Sequence, residues 1–372
     1  MARETKVVFF SPRLSHGGLE RVIVRLLEHL DPHRFQVSLV VVRPGGELLT
    51  AVPSGIPVTV LGSTRLAASI PALARHLKQH APDVVFAGGG AGPVAVLARI
   101  WARASTRVIV SERSALRRPD RTRARTTIDL ALKAVTYRRA DLVTAVSEGV
   151  RGELISALHL HPDRVRTLYN PMVDESLLTQ ATQPSPHPWL RPVEQTPVFV
   201  AVGRLVEIKD YPTMLKAFAL LIAQHSARLL ILGEGDHRDQ LEALIRDLQL
   251  EDAVQLVGFD DNPHAYMARA VALLHASRAE GLPGVLIQAM ACGTPAVSTD
   301  CDFGPREIIQ ESGVDGFLVP IGDADALADR ALTLLRRPVL RHRMGQAAKR
   351  SAQRFTNDRT LEAYAQALMG AQ

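Results

Sequence analysis

Short apolar, β-branched runs recur along the chain, each followed by a stretch with helical periodicity. In the first half they fall at Lys6–Phe10, Gln36–Val42, Val58–Leu61, Asp83–Ala87, Arg107–Val110, Leu142–Ala145 and Val165–Leu168. The second half repeats the alternation at Val198–Val202, Arg228–Leu232, Val254–Val257, Val271–His275, Ala296–Ser298 and Phe317–Val319. Runs of this length, apolar on both faces and alternating with helices, predict parallel strands covered on both sides. Between the halves, Pro184, Pro186, Pro188, Pro192 and Pro197 exclude a regular helix or a central strand, so 172–197 reads as a connection. The last helical patterns, Leu340 to Gln372, have no strand after them. At 372 residues the chain exceeds one ordinary core. The expectation is an α/β protein of two domains, 1–171 and 198–355, a Pro-rich linker 172–197 and a terminal helix in 356–372.

Composition narrows the class. With 47% hydrophobic and 22% charged residues the chain is globular. Only 5% is aromatic, which argues against a β-rich carbohydrate-binding module. Cys292 and Cys301 cannot staple a fold of this size and read as reduced, buried thiols of a cytoplasmic protein. Four apolar residues after Lys6 are too few for a signal-peptide core, and Arg99 interrupts the longest other candidate span. Net charge is +6 but uneven: from Arg99 to Arg139, twelve Lys or Arg face three acids, and 117–125 is nearly a basic tract. Such a run is a solvated helix face by default, and an anionic lipid surface or acceptor met through 113–139 is the sharper reading. Stacking aromatics do not interleave with the arginines, so nucleic acid is not expected.

The chemistry gathers after two strands of the second half. Gly203 lets the backbone turn after Val198–Val202, and Arg204 and Lys209 follow just before a helix beginning at Pro212. Cations and helix-start N–H groups at the carboxyl end of a parallel strand make an anion site, most simply for phosphate. Glu280, beyond Val271–His275, supplies a fixed acceptor for hydroxyl groups, and Gly281 permits close backbone approach. Phosphate at one end and hydroxyls at the other suggest a nucleotide sugar. The competing accounts are a surface cation pair at a helix start and an acid favouring a helix N-terminus. His275 reads as a packed, hydrogen-bonded histidine. His16, beside the turn Gly17-Gly18, and Ser111-Glu112-Arg113, at the end of a strand, are weaker candidates.

Two patterns resemble sites and are set aside. Gly90-x-Gly92-x-x-Ala95, with Glu112 twenty residues after Gly92, mimics a dinucleotide fingerprint but lies far from the first βα turn. Asp300-Cys301-Asp302 could suggest a divalent metal, yet it leads into the loop and helix start Gly304-Pro305-Arg306-Glu307. No metal and no cofactor is expected.

The order of these motifs resembles that of the family 4 retaining glycosyltransferases. The matching residues are Gly17-Gly18 with Glu20-Arg21, Ser147-Glu148-Gly149, Asn170-Pro171 and Gly203-Arg204-Leu205 with Lys209-Asp210. They continue through Glu280-Gly281-Leu282-Pro283, Gln288-Ala289-Met290-Ala291-Cys292-Gly293-Thr294-Pro295 and Gly304-Pro305-Arg306-Glu307. The resemblance implies the GT-B architecture: two Rossmann-like domains facing across a cleft, the first for the acceptor, the second for the donor, with the terminal helix crossing back to the first. It also implies a nucleotide-sugar donor, by family habit a UDP-sugar, and a glycan or lipid-linked acceptor of the bacterial envelope. On that basis Arg204, Lys209 and Glu280 are catalytic. Gly18, Gly203, Gly281, Leu282 and Gln288 bind the donor, while His16, Glu112 and Arg113 lie on the acceptor side. Gln288 departs from the family pattern, which has a second glutamate there for the ribose. A nucleotide-sugar epimerase of related architecture and a non-catalytic donor-binding subunit at the membrane are the alternatives.

Overall fold

The computed structural model describes residues 3–15, 18–116, 123–185, 187–191 and 193–370, and it divides into two compact units. One comprises 1–171 with 358–372, the other 172–357.

The first unit is built on seven parallel strands: β1 (Thr5–Ser11), β2 (Phe35–Val41), β3 (Val58–Val60), β4 (Val84–Gly88), β5 (Arg107–Glu112), β6 (Leu142–Ala145) and β7 (Val165–Thr167). Their order across the sheet is β3-β2-β1-β4-β5-β6-β7. Val7 pairs with Val37 on one side and Val84 on the other, and the β-branched and aromatic residues Val7 to Phe10 are buried. Such strands are stable only with helices over both faces. The helix Asn357–Met369 supplies part of that cover: Tyr364 is fully buried, edge-on to Phe86 with ring centroids 6.0 Å apart. Arg34 pairs with Glu362 at 3.0 Å, and Arg107 donates to the Leu368 carbonyl at 3.1 Å.

The second unit has six parallel strands: β8 (Val198–Val202), β9 (Arg228–Leu232), β10 (Val254–Gly258), β11 (Leu273–His275), β12 (Ala296–Thr299) and β13 (Phe317–Val319). They are ordered β10-β9-β8-β11-β12-β13. Connections from β8 run one way, through β9 to β10, and then return past β8 to β11. The carboxyl ends of β8 and β11 therefore flank the point where the winding reverses, the place where open parallel sheets form a crevice. Leu273 pairs with Val200 on one side and Ala296 on the other, which fixes β11 between its neighbours. Phe199, Phe218, Leu229 and Ile231 form the heart of the core.

The segment 172–197 is more than a linker. It contains the helix Glu175–Thr182, capped by Asp174, whose carboxylate accepts from the Leu177 N–H at 2.7 Å. That helix packs on Pro263–Met267, with Asn262 donating to the Gln180 carbonyl at 3.0 Å. Further on, Arg228 lies over the Trp189 ring at 4.9 Å, and His187 meets Gln255 at 3.0 Å. The prolines break helix only after residue 183; before them an Asp cap and a helix-compatible sequence prevail.

Candidate active site

Two loops meet at the winding reversal of the second sheet. After β8 the chain turns at Gly203, whose carbonyl accepts from the Tyr211 hydroxyl at 2.9 Å. A side chain on Gly233 would sit 2.0 Å from that carbonyl, and Gly233 has φ +136°. One on Gly235 would sit 2.4 Å from the Leu205 carbonyl. The Gly203-Arg204-Leu205 turn is thus laid directly on the Gly233-Glu234-Gly235 loop, tied by the Leu205 N–H to the Glu234 carbonyl at 2.9 Å. This second glycine pair escaped the sequence reading; its visible signal was Gly-x-Gly immediately after an apolar strand.

Asp210 adopts a left-handed conformation, φ 47°, that a non-glycine residue holds only when its surroundings compensate. Here they do. It caps the helix Tyr211–Ile222, taking the Thr213 hydroxyl at 2.9 Å, and pairs with Arg278 at 2.9 Å. The sharp reversal at Asp210 directs Lys209 back toward β11.

Lys209 and Glu280 meet there. Lys209 Nζ donates to Glu280 Oε1 at 2.5 Å, and His275 Nε2 lies 3.1 Å from the same oxygen. His275 is buried; its Nδ1 is 2.9 Å from Ser298 Oγ, and Ser277 Oγ is 3.1 Å from Nε2. Burial alone would raise the Glu280 carboxyl. The Lys209 charge and the His275 hydrogen bond outweigh it and hold Glu280 well below the usual carboxylate range. Burial holds His275 below its ordinary value, partly opposed by Glu280, and Nε2, facing a carboxylate that only accepts, is the donor of that hydrogen bond. Among the described residues these contacts to Glu280 all fall on one carboxylate oxygen, Oε1.

The sequence reading placed Lys209 and Glu280 at opposite ends of a ligand, whereas here they form an ion pair. An ammonium has three donors, so Lys209 can keep Glu280 and still meet an anion. Arg204 is exposed and, among the described residues, has no ion-pair partner. No described residue accepts a hydrogen bond from the Gly281 or Leu282 N–H. A side chain on Gly304, φ +92°, would meet Pro283 at 2.5 Å and the Gly281 carbonyl and Leu282 Cα at 3.0 Å, so glycine is what lets that loop lie against this strip of backbone. Gln288 is half-buried on the helix Gly284–Ala291, one turn beyond Gly284 on the same face.

The first unit treats its candidates differently. His16 and Gly17 lie outside the described residues, as do residues 117–122 of the basic tract. Gly18 opens the helix Gly18–His29, and a side chain there would meet nothing within 4 Å, so local packing does not require glycine. Glu112 was expected to face the acceptor. Instead it is buried, accepting from Lys133 at 2.8 Å and the Tyr137 hydroxyl at 2.9 Å, its charge satisfied internally. Arg113 donates to the Tyr364 hydroxyl at 2.9 Å and to Ser111 at 3.4 Å. Gly92 is a packing glycine: a side chain on it would meet Val110 at 2.5 Å. Asp300 pairs with Arg306, and among the described residues no three His, Cys, Asp or Glu side chains converge as metal ligands.

Two parallel α/β units, one with a charged cluster at its winding reversal, define the class: the fold is the GT-B fold of glycosyltransferases. Over 99% of its length the chain superposes on the lipopolysaccharide outer core galactosyltransferase WaaB, covering all of it, with TM-score 0.79 and 21% identity. Anabaena HepE in complex with UDP gives TM-score 0.80 and 22% identity over 98% of this chain and all of that one. The family model "Glycosyltransferase Family 4" matches residues 16–175, and "Glycosyl transferases group 1" matches 187–351. The chain belongs to these glycosyltransferases. Among its relatives is the N-acetylgalactosamine-N,N'-diacetylbacillosaminyl-diphospho-undecaprenol 4-alpha-N-acetylgalactosaminyltransferase of Campylobacter jejuni, 29% identical over 366 residues, 94% of this chain and 95% of that protein.

Proposed function

We propose that the chain moves a sugar from a UDP-sugar to a hydroxyl of a glycan or lipid-linked acceptor of the bacterial cell envelope, with retention and without a metal. The observation that carries this reading is the Lys209–Glu280–His275 cluster at the reversal point, with the exposed Arg204 five residues before Lys209 in the same connection. UDP in the HepE structure and the lipid diphosphate acceptor of the Campylobacter relative support the choice of donor and acceptor. Neither the epimerase nor the donor-binding subunit gains support from these relatives.

Arg204 and Lys209 hold the diphosphate. Negative charge on it grows as the bond to the anomeric carbon breaks, so fixed cations stabilise the transition state more than the ground state. Glu280 orients the sugar through a hydroxyl, Gln288 the ribose, and the backbone at Gly203, Gly281 and Leu282 lines the donor. The acceptor oxygen attacks the anomeric carbon from the face the leaving group departs, and the leaving phosphate oxygen takes the acceptor's proton. The double displacement of retaining glycosidases needs a paired carboxylate, and the sequence offers no motif for one, so the front-side course is the one proposed here. His16 and Arg113 remain acceptor-side candidates; the internal pairing of Glu112 argues against it.

The enzyme works in the cytoplasm at the membrane face, drawn there by the cationic segment 113–139. Among the described residues no helix is long and apolar enough to cross a membrane. The test of function is UDP release from a panel of UDP-sugars with short lipid-diphosphate glycan acceptors. Acceptor-dependent release that falls at least about tenfold in both Arg204→Ala and Lys209→Ala supports the assignment. Wild-type rates in both variants would overturn it.

A further inference from the structure

We infer that the outer faces of the helices Ala91–Ala102 and Arg123–Tyr137 form an apolar surface that enters an anionic lipid bilayer. This rests on the membrane placement proposed above and adds insertion to charge attraction.

The second of these helices is inside out. Toward the sheet it buries Lys133, Thr136 and Tyr137, with Lys133 paired to Glu112 at 2.8 Å and to Asp129 at 3.3 Å. Outward it presents Ile128, Leu132 and Val135, which are 72%, 45% and 54% exposed and share one helical face by their spacing. A surface helix in water shows the opposite arrangement. The neighbouring helix packs beside it and adds Ile100 and Trp101, 47% and 64% exposed. Isolated exposed apolar residues are ordinary, but five large ones on two adjacent helices mark a contact surface.

Charge identifies the occupant. Between residues 70 and 140 the sequence has fourteen Lys or Arg and four Asp or Glu, whereas the rest of the chain has thirty and thirty-four. The whole positive excess of the protein therefore belongs to the segment that bears the apolar face. An apolar face carried by the cation-rich part of the sequence, with a tryptophan in it, matches the boundary between acyl chains and anionic headgroups.

The chain has two tryptophans, Trp101 and Trp189, so Trp189→Phe leaves Trp101 as the sole reporter. Its emission is followed with vesicles of phosphatidylglycerol and phosphatidylcholine, with pure phosphatidylcholine, and with lipids brominated along the acyl chain. A blue shift on the anionic vesicles and quenching by the bromines are the expected results. Ile128→Asp and Val135→Asp, both at exposed positions, should each weaken partition about tenfold or more. A UDP-induced thermal shift kept in these variants shows that they are folded and reads the donor site separately. Vesicle sedimentation at low salt with no change in Trp101 emission would overturn insertion and leave the electrostatic placement standing. Absence of sedimentation would overturn both.

Discussion

Replacing Glu280 by Gln removes a buried charge while keeping the shape of the side chain. In the wild type one Glu280 oxygen receives Lys209 at 2.5 Å and His275 at 3.1 Å. The Glu280 and Lys209 side chains are only 14% and 20% exposed, so solvent screens the pair weakly. A hydrogen bond to a charged group contributes about 1.5–3 kcal/mol, and the amide oxygen retains part of it, so the expected loss is about 2 kcal/mol. For a unit of 150–250 residues that lowers Tm by about 4–8 °C. The assay is thermal unfolding of both proteins across pH. Glu280 is held below its ordinary range by Lys209 and His275 against the effect of burial. Its stabilisation is therefore complete above the unfolded value of about 4.3 and drains away as pH falls through the folded one. The gap between wild type and variant should stay constant from pH 8 to about 5 and close on further acidification. Glu234→Gln, which removes a half-exposed partner of Arg238, should cost less than about 1 kcal/mol. Equal melting of wild type and Glu280→Gln at pH 7, or a gap that widens in acid, would refute the ion-pair account.

Arg204→Ala should leave Tm within about 1 °C, because the side chain is exposed and has no ion-pair partner among the described residues, yet lower turnover at least about tenfold. Gly233→Ala should destabilise by about 2 kcal/mol or more in urea unfolding and weaken nucleotide binding, since the new Cβ would press on the Gly203 carbonyl. Cys292 and Cys301 should resist a disulfide reagent at pH 8 until the protein unfolds, because burial pushes each thiol up to about 12. Rapid labelling of either native thiol would contradict this.

The strands were readable because each is a short β-branched run that must be buried on both faces; all thirteen expected runs coincide with strands, and the largest trim, at β11, begins at Leu273 rather than Val271. The loops carrying Gly203 to Lys209 and Glu280 were readable for the same reason, as they follow such runs. Their convergence on one carboxylate was not. It depends on β8 lying beside β11, a neighbour relation that strand order fixes and local sequence does not. Glu112 was misread in the same way, its partner Lys133 being on a helix whose burial no local pattern announces. In 172–197 the density of prolines masked a helix that stops just short of them.

The donor site is tested most directly by thermal shift with UDP, GDP, ADP and dTDP on wild type and Arg204→Ala. At a hundred times its dissociation constant a ligand stabilises the native chain by about 2.7 kcal/mol, a visible rise in melting temperature. A shift with UDP alone, lost in Arg204→Ala, is the result expected. No shift with UDP, or one that survives Arg204→Ala unchanged, would contradict the site described.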